Sequence, residues 1–366
     1  MNQVKLIFVG GFLGAGKTTL LGTVAKKLAS EGKRVGLITN DQADDLVDTG
    51  FLKQTGSQVK EVAGGCFCCR FDDLVNAAEK LLEELKPDVL LGEPVGSCTD
   101  ISATVLQPMK ELYGDWFEVA PFSVLADPHR LRQALSKDND SGFPDNVLYI
   151  FRKQLDEADV IVMNKVDLLS PAELDALRND VSTAYPDATI LTMSGLTGDG
   201  VDPWLELIQA GGQAGKRILD VDYDRYADGE AVLGWLNATV QLHAPEPTVW
   251  TAFTEELIGA LKVALGDREA EIAHLKTLLT TPSGSITANV TNSAEAPSLR
   301  GSIAEPCRDA ALIVNARVHI SPEALEQIVR DTVTAVCGDS IEEELAHVQS
   351  LSPGRPTPVH RYDSVI

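Results

Sequence analysis

The stretch Gly11-Phe12-Leu13-Gly14-Ala15-Gly16-Lys17-Thr18 constrains this chain most, because it has the form G-x-x-x-x-G-K-[ST] and stands between an apolar run and a helically patterned segment. Lys5 to Val9 reads as a buried strand and Thr18 to Ser30 as a helix. A glycine-rich turn between two such elements lets backbone N–H groups face inward around phosphate oxygens, and the helix N-terminus adds its dipole. Gly11, Gly14, Ala15 and Gly16 form the expected cradle. Lys17 is expected at the β- and γ-phosphates, the Thr18 hydroxyl on Mg²⁺, and Thr19 beside it among the nucleotide-binding residues.

From residue 3 to about 210, apolar runs alternate with amphipathic segments, the pattern of a mainly parallel sheet covered by helices. Expected strands are Lys5 to Val9, Arg34 to Thr39, Asp88 to Leu91, Glu118 to Leu125, Val160 to Met163 and Thr189 to Thr192. Expected helices are Thr18 to Ser30, Asp72 to Leu85, Asn146 to Glu157, Pro171 to Ala184 and Val201 to Gln209. A doubly wound α/β domain over 1–214 follows, then a linker over 215–229 announced by Gly211-Gly212-Gln213-Ala214-Gly215. Beyond it, a strand at Ala238 to His243, a long helix from Thr248 to Leu279, strands at Ser285 to Val290 and Ala311 to Ile320, and a helix at Pro322 to Val336 predict a smaller α+β sandwich over 230–352. The Pro-, Gly-, His- and Arg-containing tail, 353–366, is expected to be loosely held.

At 366 residues the chain is too long for one core, and 44% hydrophobic with 23% charged residues excludes global disorder. A net charge of −23 repels phosphate backbones and anionic lipid, so neither a nucleic-acid nor a membrane partner is expected. Val4 to Leu13 lacks a basic leader and runs into the glycine loop, so it reads as a strand rather than an export signal. With six cysteines in no spaced disulfide pattern, a reducing cytoplasm is expected. Asn237-Ala238-Thr239 and Asn289-Val290-Thr291 then fall outside any glycosylation context.

Two further stretches carry chemistry of their own. Asn164-Lys165-Val166-Asp167 follows the strand Val160 to Met163 with the form N-K-x-D. A carboxylate such as that of Asp167 accepts from both N1–H and the exocyclic amine of guanine, which adenine cannot offer, so GTP is the expected nucleotide. Ser194-Gly195-Leu196-Thr197-Gly198 follows the next strand, where its backbone could meet the base oxygen. Glu93-Pro94-Val95-Gly96 follows the strand Asp88 to Leu91, placing an acid where it would hold Mg²⁺ through water and sense the γ-phosphate. Lys17, Thr18 and Glu93 are the expected catalytic residues.

With these motifs in this order, and above all with Gly65-Cys66-Phe67-Cys68-Cys69 between them, the chain resembles the CobW family of GTPases. The resemblance implies a P-loop GTPase fold over about residues 3–210 and a C-x-C-C metal site. It implies GTP-dependent delivery of a transition metal, zinc or cobalt, to a client metalloprotein or cofactor-assembly protein. Two features depart from the family: His129, His243, His274, His319, His347 and His360 form no cluster, and Asn40-Asp41-Gln42-Ala43-Asp44-Asp45 replaces the usual Asn-Glu-x-Gly of the first switch. A GTP- and metal-binding scaffold or sensor with negligible turnover, and an activator GTPase gating a cofactor on a partner enzyme, are the alternative functions.

Taken by their own chemistry, Cys66, Cys68 and Cys69 offer soft thiolates for Zn²⁺, Cu⁺ or a similar ion, with a redox pair or simple packing as competing readings. In an extended segment Cys66 and Cys68 would point one way and Cys69 the other. Cys98 suits a further thiolate or core packing, while Cys307 and Cys337 suit packing. Asp138-Asn139-Asp140-Ser141-Gly142 begins like a calcium loop, but Gly142 takes a ligand position. Asp220, Asp222, Asp224 and Asp228 read as a solvated linker.

Overall fold

The computed structural model describes residues 3–40, 47, 52, 57–136 and 142–366, so the acidic positions 41–45 and most of the calcium-like stretch at 138–142 lie outside the described residues. Two compact units divide the chain: residues 1–42, 52–229 and 355–366 form the first, and 43–51 with 230–354 the second.

In the first unit, β1 (Val4–Gly11) lies central to a parallel sheet with β2 (Val35–Asn40), β3 (Gln58–Val62), β4 (Val89–Glu93), β6 (Ser123–Ala126), β7 (Val160–Met163) and β8 (Thr189–Thr192). Their order is β3-β2-β4-β1-β6-β7-β8, and the short β5 (Phe117–Val119) also pairs with β1. Leu6, Ile7, Phe8 and Val9 are all buried, as a strand covered on both faces requires, each worth about 1.5–3 kcal/mol. Chain order reverses direction across the sheet at β1, which places ligand crevices at its carboxyl end. The helices are α1 (Lys17–Ser30), α2 (Phe71–Glu84), α3 (Gln107–Tyr113), α4 (Pro128–Leu135), α5 (Asp145–Glu157), α6 (Pro171–Ala184), α7 (Val201–Gln209) and α8 (Tyr223–Ala231). A π-helical turn, Ser102–Leu106, runs straight into α3. The expected strand Glu118 to Leu125 is two strands, divided at Pro121, which has no N–H to give a ladder.

The expected linker is packed against the first unit. Asp159 accepts from the N–H groups of Gly215 (2.7 Å) and Lys216 (3.0 Å), and Gln107 donates to the Gly215 carbonyl (2.9 Å). Asp222 caps the start of α8 by accepting from Asp224 and Arg225, so part of the acidic run is structural. The tail also departs from expectation: residues 355–366 belong to the first unit, where the Tyr362 N–H donates to the Ala103 carbonyl (3.0 Å) and the Ile366 N–H to Gln107 (2.9 Å).

In the second unit β9 (Gly234–Thr248), β10 (Ile272–Thr281), β11 (Gly284–Val290), β12 (Ser298–Ile303), β13 (Cys307–Val318) and β14 (Glu342–Leu351) form an antiparallel sheet ordered β12-β11-β10-β13-β9-β14. Period-two alternation sends Leu236, Ala238, Val240 and Leu242 of β9 and Leu312, Val314 and Ala316 of β13 into one core. There they meet Trp250, Leu257 and Leu261 of α9 (Trp250–Gly266) and Leu325, Val329 and Val333 of α10 (Pro322–Cys337). The long helix expected to reach Leu279 stops at Gly266, and its second half is β10.

Candidate functional site

The loop from Gly11 to Thr18 is held open by backbone geometry that side chains would obstruct. Gly16 has φ +94°, and an added Cβ would sit 2.5 Å from Asn164 Nδ2; at Gly11, φ +133°, it would meet the Leu125 carbonyl oxygen at 2.2 Å. Gly16 is the N-cap of α1 and has no side chain to cap it, so the positive end of the helix dipole opens onto the loop. Lys17 Nζ donates to the Gly11 carbonyl (2.8 Å), across the mouth of the loop.

Thr18 and Glu93, 75 residues apart in sequence, meet at the carboxyl ends of β1 and β4: the Thr18 hydroxyl donates to Glu93 Oε1 at 2.8 Å, and both residues are buried. This places the two oxygens side by side, where the hydroxyl could ligate Mg²⁺ directly and the carboxylate hold it through water.

Asn164 ties the base-recognition segments to the phosphate loop. Its Nδ2 donates to the Ala15 carbonyl and its Oδ1 accepts from the Gly195 N–H, both at 2.8 Å. Lys165 adopts φ +58° and its ammonium pairs with the buried carboxylate of Asp127 at 3.3 Å. Asp127 also caps α4 by accepting from the Arg130 N–H (2.9 Å), a dual role with no motif to announce it. Asp167 stands exposed in the 3₁₀ turn Val166–Leu168. The Ser194 N–H donates to the Asp199 carbonyl within this loop (2.8 Å), and Leu196 is exposed at its tip.

The three cysteines do not lie extended. Cys66 to Arg70 turn tightly, the N–H groups of Cys69 and Arg70 both donating to the Cys66 carbonyl, and lead into α2. The turn corrects the expected split of side chains: Cys66 Sγ lies 2.9 Å from Cys68 Sγ and 3.3 Å from Cys69 Sγ, with 3.8 Å between the last two. Thiolates around tetrahedral zinc, at about 2.3 Å from the metal, are roughly 3.8 Å apart. Small outward shifts of Cys66 would therefore admit the ion. Hydrogen bonds from Cys68, then Cys69, hold the Cys66 thiol well below its usual range. The hydrogen bond to Cys66 raises Cys69 to about 11, and the same bond to Cys66 raises Cys68.

Asn40, the last residue of β2, builds this turn: its Nδ2 donates to the carbonyls of Val62 (2.8 Å) and Gly65 (2.7 Å), and its Oδ1 accepts from the Phe67 N–H (2.8 Å). One residue earlier on β2, Thr39 is in register with Glu93 on β4. The thiol turn and the Thr18–Glu93 pair are therefore carried by adjacent strand ends.

The tail is the part of the site that sequence reasoning missed. The Thr357 N–H donates to Cys69 Sγ (3.2 Å), the Val359 N–H donates to the Cys68 carbonyl (2.9 Å), and the His360 ring packs edge-on against Phe71 at 4.9 Å. Arg361 donates to the buried carboxylate of Asp100 at 2.8 Å, at the end of the loop that begins with Glu93. Removing residues 355–366 is expected to speed alkylation of Cys68 and Cys69, followed by mass spectrometry of the digested protein. Unchanged rates would show that the tail does not shield them.

A parallel sheet whose central strand feeds a glycine loop and an uncapped helix defines a P-loop nucleotide-binding protein. The sequence model described as CobW/HypB/UreG, nucleotide-binding domain, matches residues 5–192, and the chain belongs to that family. Among characterised relatives, it is 34% identical over 204 residues to the zinc chaperone CobW of Sinorhizobium sp, covering 50% of this chain and 57% of that protein. It is 33% identical over 187 residues to the zinc chaperone YeiR of Escherichia coli, covering 49% and 51% respectively. The chain thus spans about half the length of the curated relatives it matches. Among solved structures, Zn(II)-bound YjiA GTPase from E. coli aligns over 92% of this chain and 99% of its own at 14% identity, with a TM-score of 0.41.

Proposed function

We propose that this protein is a GTPase metallochaperone: it binds GTP with Mg²⁺, hydrolyses it slowly, and couples nucleotide state to the holding and release of a thiophilic divalent ion, zinc or cobalt, to a client protein. The observation that carries the reading is the convergence of three thiols on a turn built by Asn40, one residue from the Thr39 that pairs with Glu93. In this reading Thr18 and Glu93 hold Mg²⁺, Lys17 meets the terminal phosphates, and Asp167 selects guanine. The nucleotide supplies the free-energy change that a switch needs, since the γ-phosphate orders the segments that touch it and its loss frees them. The names of the zinc chaperone relatives support the metal, and six free cysteines suit a reducing cytoplasm. Among the described residues no helix is long and apolar enough to cross a membrane. The test is transfer: zinc-loaded protein mixed with an apo client should release metal to it faster with GTP than with a non-hydrolysable analogue. Stable complexes without turnover or transfer would point to a scaffold.

GTP is expected to bind at least about tenfold more tightly than ATP, because each base group left unpaired costs about 1–3 kcal/mol. Asp167→Asn should move preference toward xanthine nucleotide, whose carbonyl replaces the guanine amine. Calorimetry giving equal GTP and ATP affinities would remove guanine recognition from Asp167.

Metal affinity at the thiols should differ between GTP- and GDP-bound protein. A coupling of about 1–3 kcal/mol corresponds to roughly 5–150-fold, and linkage requires metal to change GTP affinity by the same factor. Chelator competition in each nucleotide state measures the first factor and calorimetry the second. Equal metal affinities would leave a GTPase without a metal switch.

A further inference from the structure

We infer that residues 355–362 form a strap that closes the metal site, latched by Arg361 to Asp100 and released when the loop from Glu93 to Asp100 changes with the nucleotide. The inference rests on the proposal that Cys66, Cys68 and Cys69 hold the ion, and adds the device that governs when it can enter or leave.

The composition of the strap suits it to this place. In Pro356-Thr357-Pro358-Val359 every second residue is proline, which lacks an N–H and has a fixed φ, so the segment is extended in advance and Thr357 and Val359 are its donors. Both give their N–H to the thiol turn, Thr357 to Cys69 Sγ at 3.2 Å and Val359 to the Cys68 carbonyl at 2.9 Å. Pro356 is buried, and the His360 ring stands edge-on to Phe71, the first residue of α2. A hydrogen bond to a ligating sulfur tunes that ligand as well as covering it, so the strap acts on the site and not only on the protein around it.

The other end of the strap is fastened to the nucleotide side. Arg361 Nε donates to Asp100 Oδ2 at 2.8 Å, and a second guanidinium nitrogen donates to the Leu219 carbonyl at 2.8 Å. Asp100 is 1% exposed and also accepts from the Tyr223 hydroxyl at 2.8 Å, so loss of the arginine would leave a buried carboxylate without this countercharge. Asp100 sits at φ +68°, a left-handed conformation uncommon outside glycine, where the loop from Glu93 ends and just before the π-helical turn Ser102–Leu106. The Tyr362 N–H reaches into that turn, donating to the Ala103 carbonyl at 3.0 Å. One short segment therefore touches the sulfur cluster and the far end of the loop whose near end, Glu93, is hydrogen-bonded to Thr18. A shift of that loop on loss of the γ-phosphate moves Asp100, breaks the latch and lifts Thr357 from Cys69, and the ion can then pass to an incoming ligand.

The test is amide hydrogen exchange of the full, zinc-loaded chain, read by mass spectrometry on the peptide that carries Thr357, Val359 and Tyr362. Those amides should exchange at least about tenfold faster with GDP than with a non-hydrolysable GTP analogue, because the hydrogen bonds that protect them open with the latch. In Arg361→Gln both nucleotide states should show the fast rate, and zinc should pass to a chromogenic chelator at least about tenfold faster than from the parent. A tail that only stabilises the fold would be protected equally with the two nucleotides, and that result, or slower exchange with GDP, overturns the inference. Zinc release from Arg361→Gln at the parental rate, with zinc binding lost on joint replacement of Cys66, Cys68 and Cys69, overturns the strap alone. If the triple variant keeps its zinc, the thiol-site reading fails, and the strap fails with it as a gate for metal.

Discussion

Lys17→Ala is expected to lower GTP turnover by at least about 10²–10³-fold, because it removes a positive charge from the position where the transferring phosphate gathers negative charge. Burial gives this charge its effect. Lys17 is 7% exposed and its ammonium lies 2.8 Å from the Gly11 carbonyl oxygen, in a setting where electrostatic interactions are less screened than in water. Arginine is a poor substitute, since a planar guanidinium does not reproduce a compact point charge. Thr18→Ala and Glu93→Gln should act differently, weakening Mg²⁺ dependence and slowing turnover while leaving more of the nucleotide affinity intact, because the role proposed for their 2.8 Å pair is to hold the cation rather than the nucleotide itself. Single-turnover measurement at saturating GTP separates chemistry from binding. Turnover that survives Lys17→Ala unchanged would place the reaction at another loop.

How much of this was legible in the sequence depended on whether the signal was local. The phosphate loop, Asn164-Lys165-Val166-Asp167 and Glu93 each carry their chemistry in a few adjacent residues next to an apolar run, and the structure places each at a strand end. The pairing of Thr18 with Glu93 was implied by roles, but the bridge made by Asn164 between Ala15 and Gly195 was not, since nothing local says where an amide side chain will turn. Cys66 to Cys69 misled because two-residue periodicity was applied to a turn that Asn40 enforces from another strand. β10 was read as helix because its residues are nearly all buried, which hides alternation, and the break at Gly266 to Ala270 includes Glu269 at φ +53°, a conformation no composition rule predicts. β12 and β14 lie at the two edges of their sheet and are largely exposed, so they lack the apolar alternation that marks an inner strand. The tail escaped for the opposite reason. Its Pro, Gly and Arg content suits disorder, and what orders it lies far away in sequence: Asp100 for Arg361 and Cys69 for Thr357.

Replacing Cys66, Cys68 and Cys69 together by Ser should weaken zinc or cobalt binding by on the order of 10³-fold or more, since thiolate coordination supplies most of the roughly 10–16 kcal/mol with which such sites hold zinc. Single replacements should be graded by burial. Cys66 and Cys68 are 4% and 1% exposed and sit on the inner side of the cluster, whereas Cys69 is half-buried and is hydrogen-bonded by the tail, so Cys69→Ser should cost least. GTP affinity is the control, because Asn40 fixes the turn through backbone contacts at Val62, Gly65 and Phe67 that do not require sulfur. Each thiol must lose its proton to bind, so affinity in the parent should rise with pH until the ligands are deprotonated, and fall as acid returns the protons. Competition against a chromogenic chelator at several pH values reads both effects. A triple variant that keeps parental affinity would move the metal elsewhere in the chain and leave the cysteine turn as packing beside the nucleotide.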